Sequence, residues 1–163
     1  MPKPLVIQYR RKRAGLTDYR KRLVMLKSGL ARLVVRGSNR GIQVQLVRYA
    51  ADGDVVLATA RATDLKKLGW SGALGNTPAA YLTGLLLAHK AGTKANGDVI
   101  LDIGLQSHHK GGRLYAAVKG AIDGGLAVRV GEDVMPSEER LSGSHIDEGL
   151  AKQLEAVKQK IRK

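Results

Sequence analysis

The sequence contains no cysteine. A disulfide framework, a thiolate nucleophile and a cysteine-based zinc site are therefore all excluded. A chain without cysteine suits a reducing compartment such as the cytoplasm, which is where we expect it. At 163 residues, of which 44% are hydrophobic, the chain can bury a core of its own, and we expect one compact domain with appended segments.

Long apolar runs are also missing. Runs such as Leu85–Ala88 are far shorter than the roughly 20 residues that a membrane-spanning helix needs. The first positive charges are not followed by the apolar stretch that a secretory signal carries. We therefore expect neither a membrane span nor a secretory leader.

Acidic residues are scarce at one end of the chain. Met1–Arg40 holds twelve Lys and Arg residues against the single acid Asp18, a net charge of +11, whereas the other 123 residues carry only +3. A basic segment on a nearly balanced body favours a polyanionic partner, because charges placed on phosphates release condensed counterions. Arginine interleaved with tyrosine favours RNA over an anionic membrane surface. A solvated tail or a localisation signal is the alternative.

The basic segment has local structure of its own. Met1–Gly15 is expected to be extended, because two prolines near its start oppose a helix, and Tyr9–Arg13 supplies consecutive stacking and cationic groups. Thr17 is predicted to cap a short helix that has Asp18 in its first turn, and Gly29 is predicted to end it. Apolar side chains at helical spacing should dock this helix on the body with its basic side chains outward: Tyr19, Leu23, Leu26 and Leu30.

A β-meander follows. Ala31–Arg36, Ile42–Tyr49 and Val55–Ala62 have the apolar alternation or β-branched content of strands. Gly37–Gly41 is dense in turn-forming residues, and Ala51–Asp54 contains an Asp-Gly pair that supplies the positive φ of a tight hairpin. These segments predict three antiparallel strands.

Helices and strands alternate over the rest of the chain, so the predicted fold class is α/β. We expect a three-stranded antiparallel meander followed by βα units in a mixed sheet with helices packed on it, plus a basic N-terminal arm. The arm is assigned to residues 1–30, the core domain to 31–131, and a C-terminal loop with a basic helix to 132–163. Between the meander and residue 124 we expect a short helix Thr63–Leu68, a helix Pro78–Ala91 capped at Thr77-Pro78, a strand in Asp98–Gly104 and a helix Gly112–Asp123. A short strand or extended piece, Leu126–Val130, should follow. The chain is expected to end in a helix whose apolar side chains recur at helical spacing: Ile146, Leu150, Leu154, Val157 and Ile161.

Three carboxylates invite comparison with metal-dependent nucleases. Asp98, Asp102 and Asp123 lie in a meander-plus-βα arrangement reminiscent of ribonuclease-H-like folds, where several acids converge on Mg²⁺. Aspartate is ordinary at the ends of strands and helices, however, and the core-facing positions of the meander are apolar. A metal nuclease is therefore the less favoured alternative.

Other candidate motifs do not match known chemistry either. In His108-His109-Lys110 the adjacent histidines would point apart on a strand, so we expect a solvated or phosphate-contacting loop rather than a metal site. The spacing of Gly69, Gly72 and Gly75 fits neither a dinucleotide fingerprint nor a P-loop. Trp70 between them is predicted to be a packing residue, with RNA stacking as the alternative. We predict no catalytic residue, no metal and no cofactor, and hence no enzyme.

Several further motifs occur together in a characteristic order: Arg10–Arg13 followed by Thr17–Leu23, then Arg32–Asn39 with Gln45-Leu46, Gly69-Trp70, Asn76–Leu85, Leu101–Leu105, Gly120–Asp123 and His145-Ile146. Through them, from about Tyr9 to Ile146, the chain resembles the large-subunit ribosomal protein L-eighteen family, archaeal type. The resemblance implies a mixed α/β domain that binds 5S rRNA and attaches it to the large-subunit rRNA in the central protuberance. It also implies neighbouring large-subunit proteins, notably the L-five family, as partners. A general RNA-binding or chaperone protein is the alternative function.

The resemblance and the charge pattern together give an expected set of RNA-binding residues. Arginines and lysines would neutralise phosphates, and Tyr9 and Tyr19 are candidates for stacking on unpaired bases. The full set is Tyr9, Arg10, Arg11, Lys12, Arg13, Thr17, Asp18, Tyr19, Arg20, Lys21, Arg22, Lys27, Arg32, Arg36, Ser38, Asn39 and Arg40.

One residue and one loop depart from the family pattern. Leu16 stands where a basic or polar residue is expected, and the Ser107–Gly112 loop differs from the expected version, so no role is carried onto it.

Overall fold

The computed structural model describes residues 6–94 and 97–162. A four-stranded sheet has the order β3-β2-β1-β4, with β1, β2 and β3 antiparallel and β4 parallel to β1. The predicted α/β class, the meander and the mixed sheet with helices packed on it are confirmed. The strands are β1 (Ala31–Ser38), β2 (Gly41–Arg48), β3 (Val55–Arg61) and β4 (Val99–Asp102). The helices are α1 (Arg10–Arg13), α2 (Tyr19–Lys27), α3 (Thr77–Ala91), α4 (Arg113–Asp123), α5 (Glu138–Ser142) and α6 (Glu148–Arg162).

The first hairpin is tighter than the sequence predicts. β1 continues to Ser38, which pairs with Gly41, so that only Asn39 and Arg40 form the turn. The alternation of β2 is confirmed, because Val44 and Leu46 have no exposed surface and lie on the face that packs against the helices. The hydrophobic face of the meander therefore sets its register, since a slip of one residue would turn these side chains outward.

Helices α3 and α4 pack backbone against backbone on that face of the sheet. A methyl group on Gly84 of α3 would overlap the carbonyl oxygen of Ala117, and one on Gly120 of α4 would overlap that of Tyr81. Only glycine at these two positions allows so close a crossing. The sequence predicted α3 correctly but placed its cap at Thr77. The cap is Asn76, whose side chain accepts a hydrogen bond from the Ala79 amide at 2.9 Å.

Several expected elements differ in detail. The expected short helix Thr63–Leu68 is a 3₁₀ helix, Ala62–Leu68. Leu126–Val130, expected to be a short strand or an extended piece, pairs with β4 only through a bridge between Val128 and Val99. The loop expected at the start of residues 132–163 contains the short helix α5, Glu138–Ser142. Ile146 was assigned to the C-terminal helix, but it precedes α6 and is 53% exposed.

The C-terminal helix completes the core. Leu154, Val157 and Ile161 are each at most 4% exposed and belong to the same core cluster as the sheet and α3. Trp70 is 2% exposed, which confirms its predicted packing role. Within residues 6–94 and 97–162, no helix has the length and apolar character needed to cross a bilayer.

Candidate nucleic-acid interface

The face of the sheet that α3 does not cover forms the floor of an open groove. Strand alternation places Arg32, Val34 and Arg36 of β1 on this face, because Leu33 and Val35 point into the core. Gln45 of β2 and Asp102 of β4 lie on the same face. Together with α2 and the segment that follows β4, these residues enclose about 1100 Å³.

The Arg10–Arg13 cluster forms a helical turn, α1, so the expectation of an extended segment is wrong here. The Arg13 amide donates to the Tyr9 carbonyl at 3.0 Å, and Gly15, with φ +65°, reverses the chain after the turn. The two prolines on which the expectation was based, Pro2 and Pro4, lie outside the described residues. All four basic side chains of α1 are exposed. Successive residues of a helix are about 100° apart, so the four charges point in different directions.

The N-cap of α2 is Asp18 rather than Thr17. The Asp18 carboxylate accepts hydrogen bonds from the amides of Arg20 and Lys21 at 2.9 and 3.1 Å. Aspartate is the stronger cap because its charge also interacts favourably with the positive end of the helix dipole. Thr17 instead accepts a hydrogen bond from Nε of Arg11 at 2.9 Å and so joins the two helices.

Only half of the predicted apolar stripe helps to dock α2, because Tyr19 and Leu26 are partly buried whereas the other two members are exposed. Leu23 is 55% and Leu30 38% exposed, and no residue of the helix is fully buried. The partly buried side chains include Arg22 and Met25. Arg22 Nη2 donates to both carboxylate oxygens of Asp54, at 3.0 and 2.9 Å. An ion pair with Asp54, in the loop between β2 and β3, therefore substitutes for part of the hydrophobic contact that the spacing predicted.

This ion pair is one end of a chain of five alternating charges: Arg22, Asp54, Arg32, Asp102 and Arg36. Arg32 Nη2 lies 2.6 Å from Asp54, and Arg32 Nη1 lies 3.2 Å from Asp102. Arg36 Nη2 lies 2.8 Å from the other carboxylate oxygen of Asp102, and Arg36 Nη1 donates to the Asp102 carbonyl at 2.6 Å. The chain of charges thus connects α2, the second hairpin, β1 and β4 across the groove floor.

Arg32 and Asp102, inside this chain of charges, stabilise the fold and are not available to a ligand, because both are buried. Arg32 is 2% and Asp102 6% exposed, and a buried charge of this kind is tolerated only with a close partner. Partial burial alone would raise the pKa of Asp54, but hydrogen bonds from Arg22 and Arg32, together with their charges, hold that pKa below its ordinary value. The Asp54 carboxylate is therefore ionised at neutral pH as an acceptor for Arg22 and Arg32, in keeping with the ion pairs that it forms.

The expected RNA-binding residues divide into exposed and buried members. Arg32 faces Asp54 and Asp102, and its guanidinium is not available at the surface. Arg36 is anchored at Asp102, yet its side chain remains 42% exposed. Arg22 is half-buried. The remaining basic side chains expected to bind RNA are exposed on α1, on α2 and at the β1–β2 turn: Arg10, Arg11, Lys12, Arg13, Arg20, Lys21, Lys27 and Arg40. Ser38 and Asn39, next to Arg40, are also exposed.

The two tyrosines expected to stack on bases lie against each other. The ring centroids of Tyr9 and Tyr19 are 5.2 Å apart, with the ring planes tilted by 42°. Tyr9 remains 72% exposed, whereas Tyr19 is partly buried. Tyr9 therefore keeps an accessible ring beside the basic side chains of α1.

Sequence reasoning missed the residue that connects the first hairpin to the segment after β4. Gln106 accepts a hydrogen bond from the Gly37 amide at 2.9 Å and donates one to the Gly37 carbonyl. The sequence pattern singles out Asp102 only as a possible metal ligand and not as a partner of arginines. Its carboxylate also accepts a hydrogen bond from the Gly104 amide at 2.9 Å, but its arginine partners come from β1, far away in sequence, so no local pattern points to them.

The three carboxylates of the nuclease alternative have separate partners. Asp102 binds two arginines, Asp98 pairs with Arg129, and Asp123 accepts from the Tyr81 hydroxyl and from Lys119, both at 3.0 Å. Across the described ranges, no group of three His, Cys, Asp or Glu side chains could hold a metal ion. The convergence of acids that the nuclease alternative requires is therefore not found among these three residues.

Taken together, the fold and the groove define a basic, open-faced α/β protein whose uncovered sheet face is lined by several exposed basic side chains, among them Arg11, Arg20, Lys21 and Arg36. Residues 5–100 match the family model described as ribosomal large subunit proteins 60S L5 and 50S L18. That match covers more than half of the chain, and the chain belongs to this family.

Curated relatives give the same result over most of the chain. The large ribosomal subunit protein uL18 of Caldivirga maquilingensis is 52% identical over 141 residues, which cover 86% of this chain and 68% of that protein. The protein of the same name from Methanoregula boonei is 49% identical, covering 86% of this chain and 81% of the relative. That of Methanocorpusculum labreanum is 45% identical over 163 residues, covering 96% and 94%. The resemblance seen in the sequence motifs is confirmed.

Proposed function

We propose that this protein is a structural component of the large ribosomal subunit in the cytoplasm, where it binds 5S rRNA and attaches it to the large-subunit rRNA in the central protuberance. Its neighbours there would include a protein of the L-five family. Support comes from membership of a family of large-subunit proteins and from relatives named large ribosomal subunit protein uL18. The role is architectural and needs no catalytic step.

The observation that carries the RNA-binding part is the position of the exposed charges. The exposed basic side chains Arg11, Arg20 and Lys21 line the groove together with Arg36, and Arg10, Lys12 and Arg13 belong to the same helical turn as Arg11. Arg36 presents a guanidinium whose position is held by Asp102. Cations fixed in this way neutralise phosphates at a smaller entropic cost than the same charges on a disordered tail.

The geometry favours recognition of RNA shape over recognition of base sequence in a duplex. The major groove of A-form RNA is too deep and narrow for side chains to read, so α2 would contact phosphates and ribose hydroxyls. Unpaired bases are the places where an exposed ring such as Tyr9 can stack. A folded RNA with loops beside its helices, as 5S rRNA is expected to be, fits these contacts.

The test compares two full-length variants that lose the same charge. One replaces Arg10, Arg11 and Arg13 by Gln. The control replaces Arg129, Arg140 and Lys152 by Gln, which are exposed and do not line the groove. We expect the first variant to bind 5S rRNA more weakly and to lower the slope of log K against log salt by about 3, and the control to change little. Equal effects of the two variants would overturn the proposed surface.

Competition separates the ribosomal role from that of a general RNA-binding protein. Labelled 5S rRNA bound to the protein is challenged with unlabelled 5S rRNA or with an unrelated RNA of the same length. The proposed function requires the 5S competitor to be effective at much lower concentration, because shape and unpaired bases contribute beyond the charge term. Equal competition would favour the chaperone alternative.

A further inference from the structure

The guanidinium of Arg36 is held in the groove by three hydrogen bonds along its edges. Nη1 donates to the carbonyls of Val35 and Asp102, at 2.9 and 2.6 Å, and Nη2 donates to a carboxylate oxygen of Asp102 at 2.8 Å. A guanidinium has five N–H groups, so the described residues occupy three of them and leave the Nε–H and one Nη2–H. The plane of the guanidinium therefore has a fixed orientation.

One face of this guanidinium lies against the backbone of Gly104. A methyl group built on Gly104 would be 2.9 Å from Cζ of Arg36, 3.0 Å from Nη2 and 3.3 Å from Nε. Because the central carbon is nearer than either nitrogen, Gly104 approaches through the face of the guanidinium and not through its edge. Gly104 has φ +64°, a conformation that favours glycine. The lack of a side chain at Gly104 thus leaves room for the plane of Arg36.

The opposite face of the Arg36 guanidinium is open to the groove. The side chain is 42% exposed although its edges are hydrogen-bonded and Gly104 covers one face, and it lines the groove. Two neighbours in the groove lining are apolar. Val34 precedes Arg36 by two positions on the same face of β1, and Leu105, which follows Gly104, is 53% exposed. A flat cationic surface with apolar surroundings therefore faces the ligand.

This exposed face is better suited to a nucleobase than to a phosphate. A guanidinium plane is weakly hydrated and stacks on aromatic rings, and unpaired RNA bases stack on arginine as they do on aromatic side chains. Val34 and Leu105 can extend the contact with a flat base, whereas their side chains offer no hydrogen bond to a phosphate. The two remaining N–H groups of Arg36 still allow its edge to bind a phosphate.

We propose that the guanidinium face of Arg36 stacks on an unpaired nucleobase of the bound RNA. This inference rests on the proposed function and assigns to Arg36 a contact beyond the neutralisation of phosphates. A plane that is already fixed loses little entropy when a base stacks on it. Arg36 thus contributes to the choice of RNA, because a fully paired helix has no free base to offer to this face.

The experiment removes the base and the guanidinium plane separately. In the RNA, unpaired nucleotides of 5S rRNA are replaced one at a time by abasic nucleotides, which keep the phosphate. In the full-length protein, Arg36→Lys keeps the charge and loses the plane. The matched control is Arg20→Lys, the same exchange at an exposed residue that also lines the groove. Thermal unfolding followed by circular dichroism checks that both variants remain folded.

With wild type, at least one abasic position should weaken binding about fivefold or more. Arg36→Lys should bind intact 5S rRNA about fivefold more weakly, with an unchanged slope of log K against log salt because no charge is lost. It should also be insensitive to that abasic position, whereas Arg20→Lys should behave as wild type. Two results would overturn the proposal: wild type insensitive to every abasic position, or Arg36→Lys as sensitive as the control to all of them.

A measurement on the unchanged protein serves if Arg36→Lys does not fold, or if the chain does not bind 5S rRNA. Isotopically labelled full-length protein is titrated with a single-stranded RNA of about ten nucleotides, and separately with the same strand in a duplex. The ring current of a stacked base should move the Arg36 Nε–H resonance upfield with the single strand and not with the duplex. An absent upfield shift would reject the stacking contact, whatever the result with 5S rRNA. Loss of 5S rRNA binding with the upfield shift intact would reject only the proposed function.

Discussion

Arg32 of β1 and Asp102 of β4 face each other across the two parallel strands, with Arg32 Nη1 3.2 Å from the carboxylate and both side chains almost fully buried. Each has a second partner, Asp54 for Arg32 and Arg36 for Asp102. The pair therefore connects the part of the sheet next to α2 with the part that presents Arg36. Because α2, β1 and β4 all line the groove, the shape of the groove depends on this buried ion pair.

Removing one member of this pair should be costly. We expect Asp102→Leu to lower the free energy of unfolding by about 3 kcal/mol or more, because it leaves the Arg32 charge buried with one partner fewer. Urea unfolding measures the change. Replacing both residues, as Arg32→Met with Asp102→Leu, should recover much of the loss, and a single variant as stable as wild type would contradict this account.

The Asp54 pair predicts a specific dependence on pH. The folded state holds the pKa of Asp54 below its ordinary value of 3.8, so the unfolded chain takes up this proton first as pH falls. The stability that Asp54 contributes is therefore complete above its unfolded pKa and is lost as pH falls through its folded pKa. Compared with Asp54→Asn, wild type should show a stability advantage that is constant near neutrality and shrinks below about pH 4. An advantage that grew on acidification would refute the assignment.

The cap of α2 can be tested at single amides. Asp18→Ala should speed hydrogen exchange at the Arg20 and Lys21 amides, since both lose their acceptor, and should cost local stability of about 1 kcal/mol. Thr17→Ala, which removes only the contact with Arg11, should leave those two amides unchanged. Exchange rates from two-dimensional NMR spectra decide between the caps, and the reverse result would restore the sequence-based assignment to Thr17.

The close crossing of α3 and α4 predicts an unusual sensitivity to a single methyl group. Gly84→Ala should destabilise the fold by about 2–3 kcal/mol, because the new methyl would meet the rigid Ala117 carbonyl and force the helices apart. The control is Gly149→Ala in α6, where the nearest atoms belong to the Asp147 side chain at 3.4 Å. There the change should be neutral or stabilising by up to about 1 kcal/mol. Chemical denaturation of the two variants gives the comparison, and similar effects would argue against the crossing.

Much of the fold was predictable because its signals are local. The alternation of Ile42, Val44 and Leu46, the Asp-Gly pair of the second hairpin and the proline at the start of α3 each specify a backbone conformation within a few residues. The motifs that identify the family are likewise continuous stretches of sequence. These features placed the meander, the main helices and the family correctly.

The errors are of two kinds, one caused by long-range contacts and the other by closely matched local hydrogen bonds. Spacing predicted that Leu23 and Leu30 would dock α2, but Asp54, which binds Arg22 from 32 positions away, helps to hold another side of the helix against the sheet. The α1 turn and the choice between Thr17 and Asp18 as cap concern single hydrogen bonds, which neighbouring alternatives match closely in energy.

The sequence by itself determined the fold class, the position of most strands and helices, the family, and the concentration of positive charge in the first forty residues. Only the tertiary structure decided which of those charges reach the surface. Arg32 and Arg36 are four positions apart on one face of one strand and look equivalent in the sequence. Asp102, 70 residues further along the chain from Arg32, buries one and presents the other. The physical reason is that a charge in the interior must find its partner, and chain folding alone brings that partner within reach.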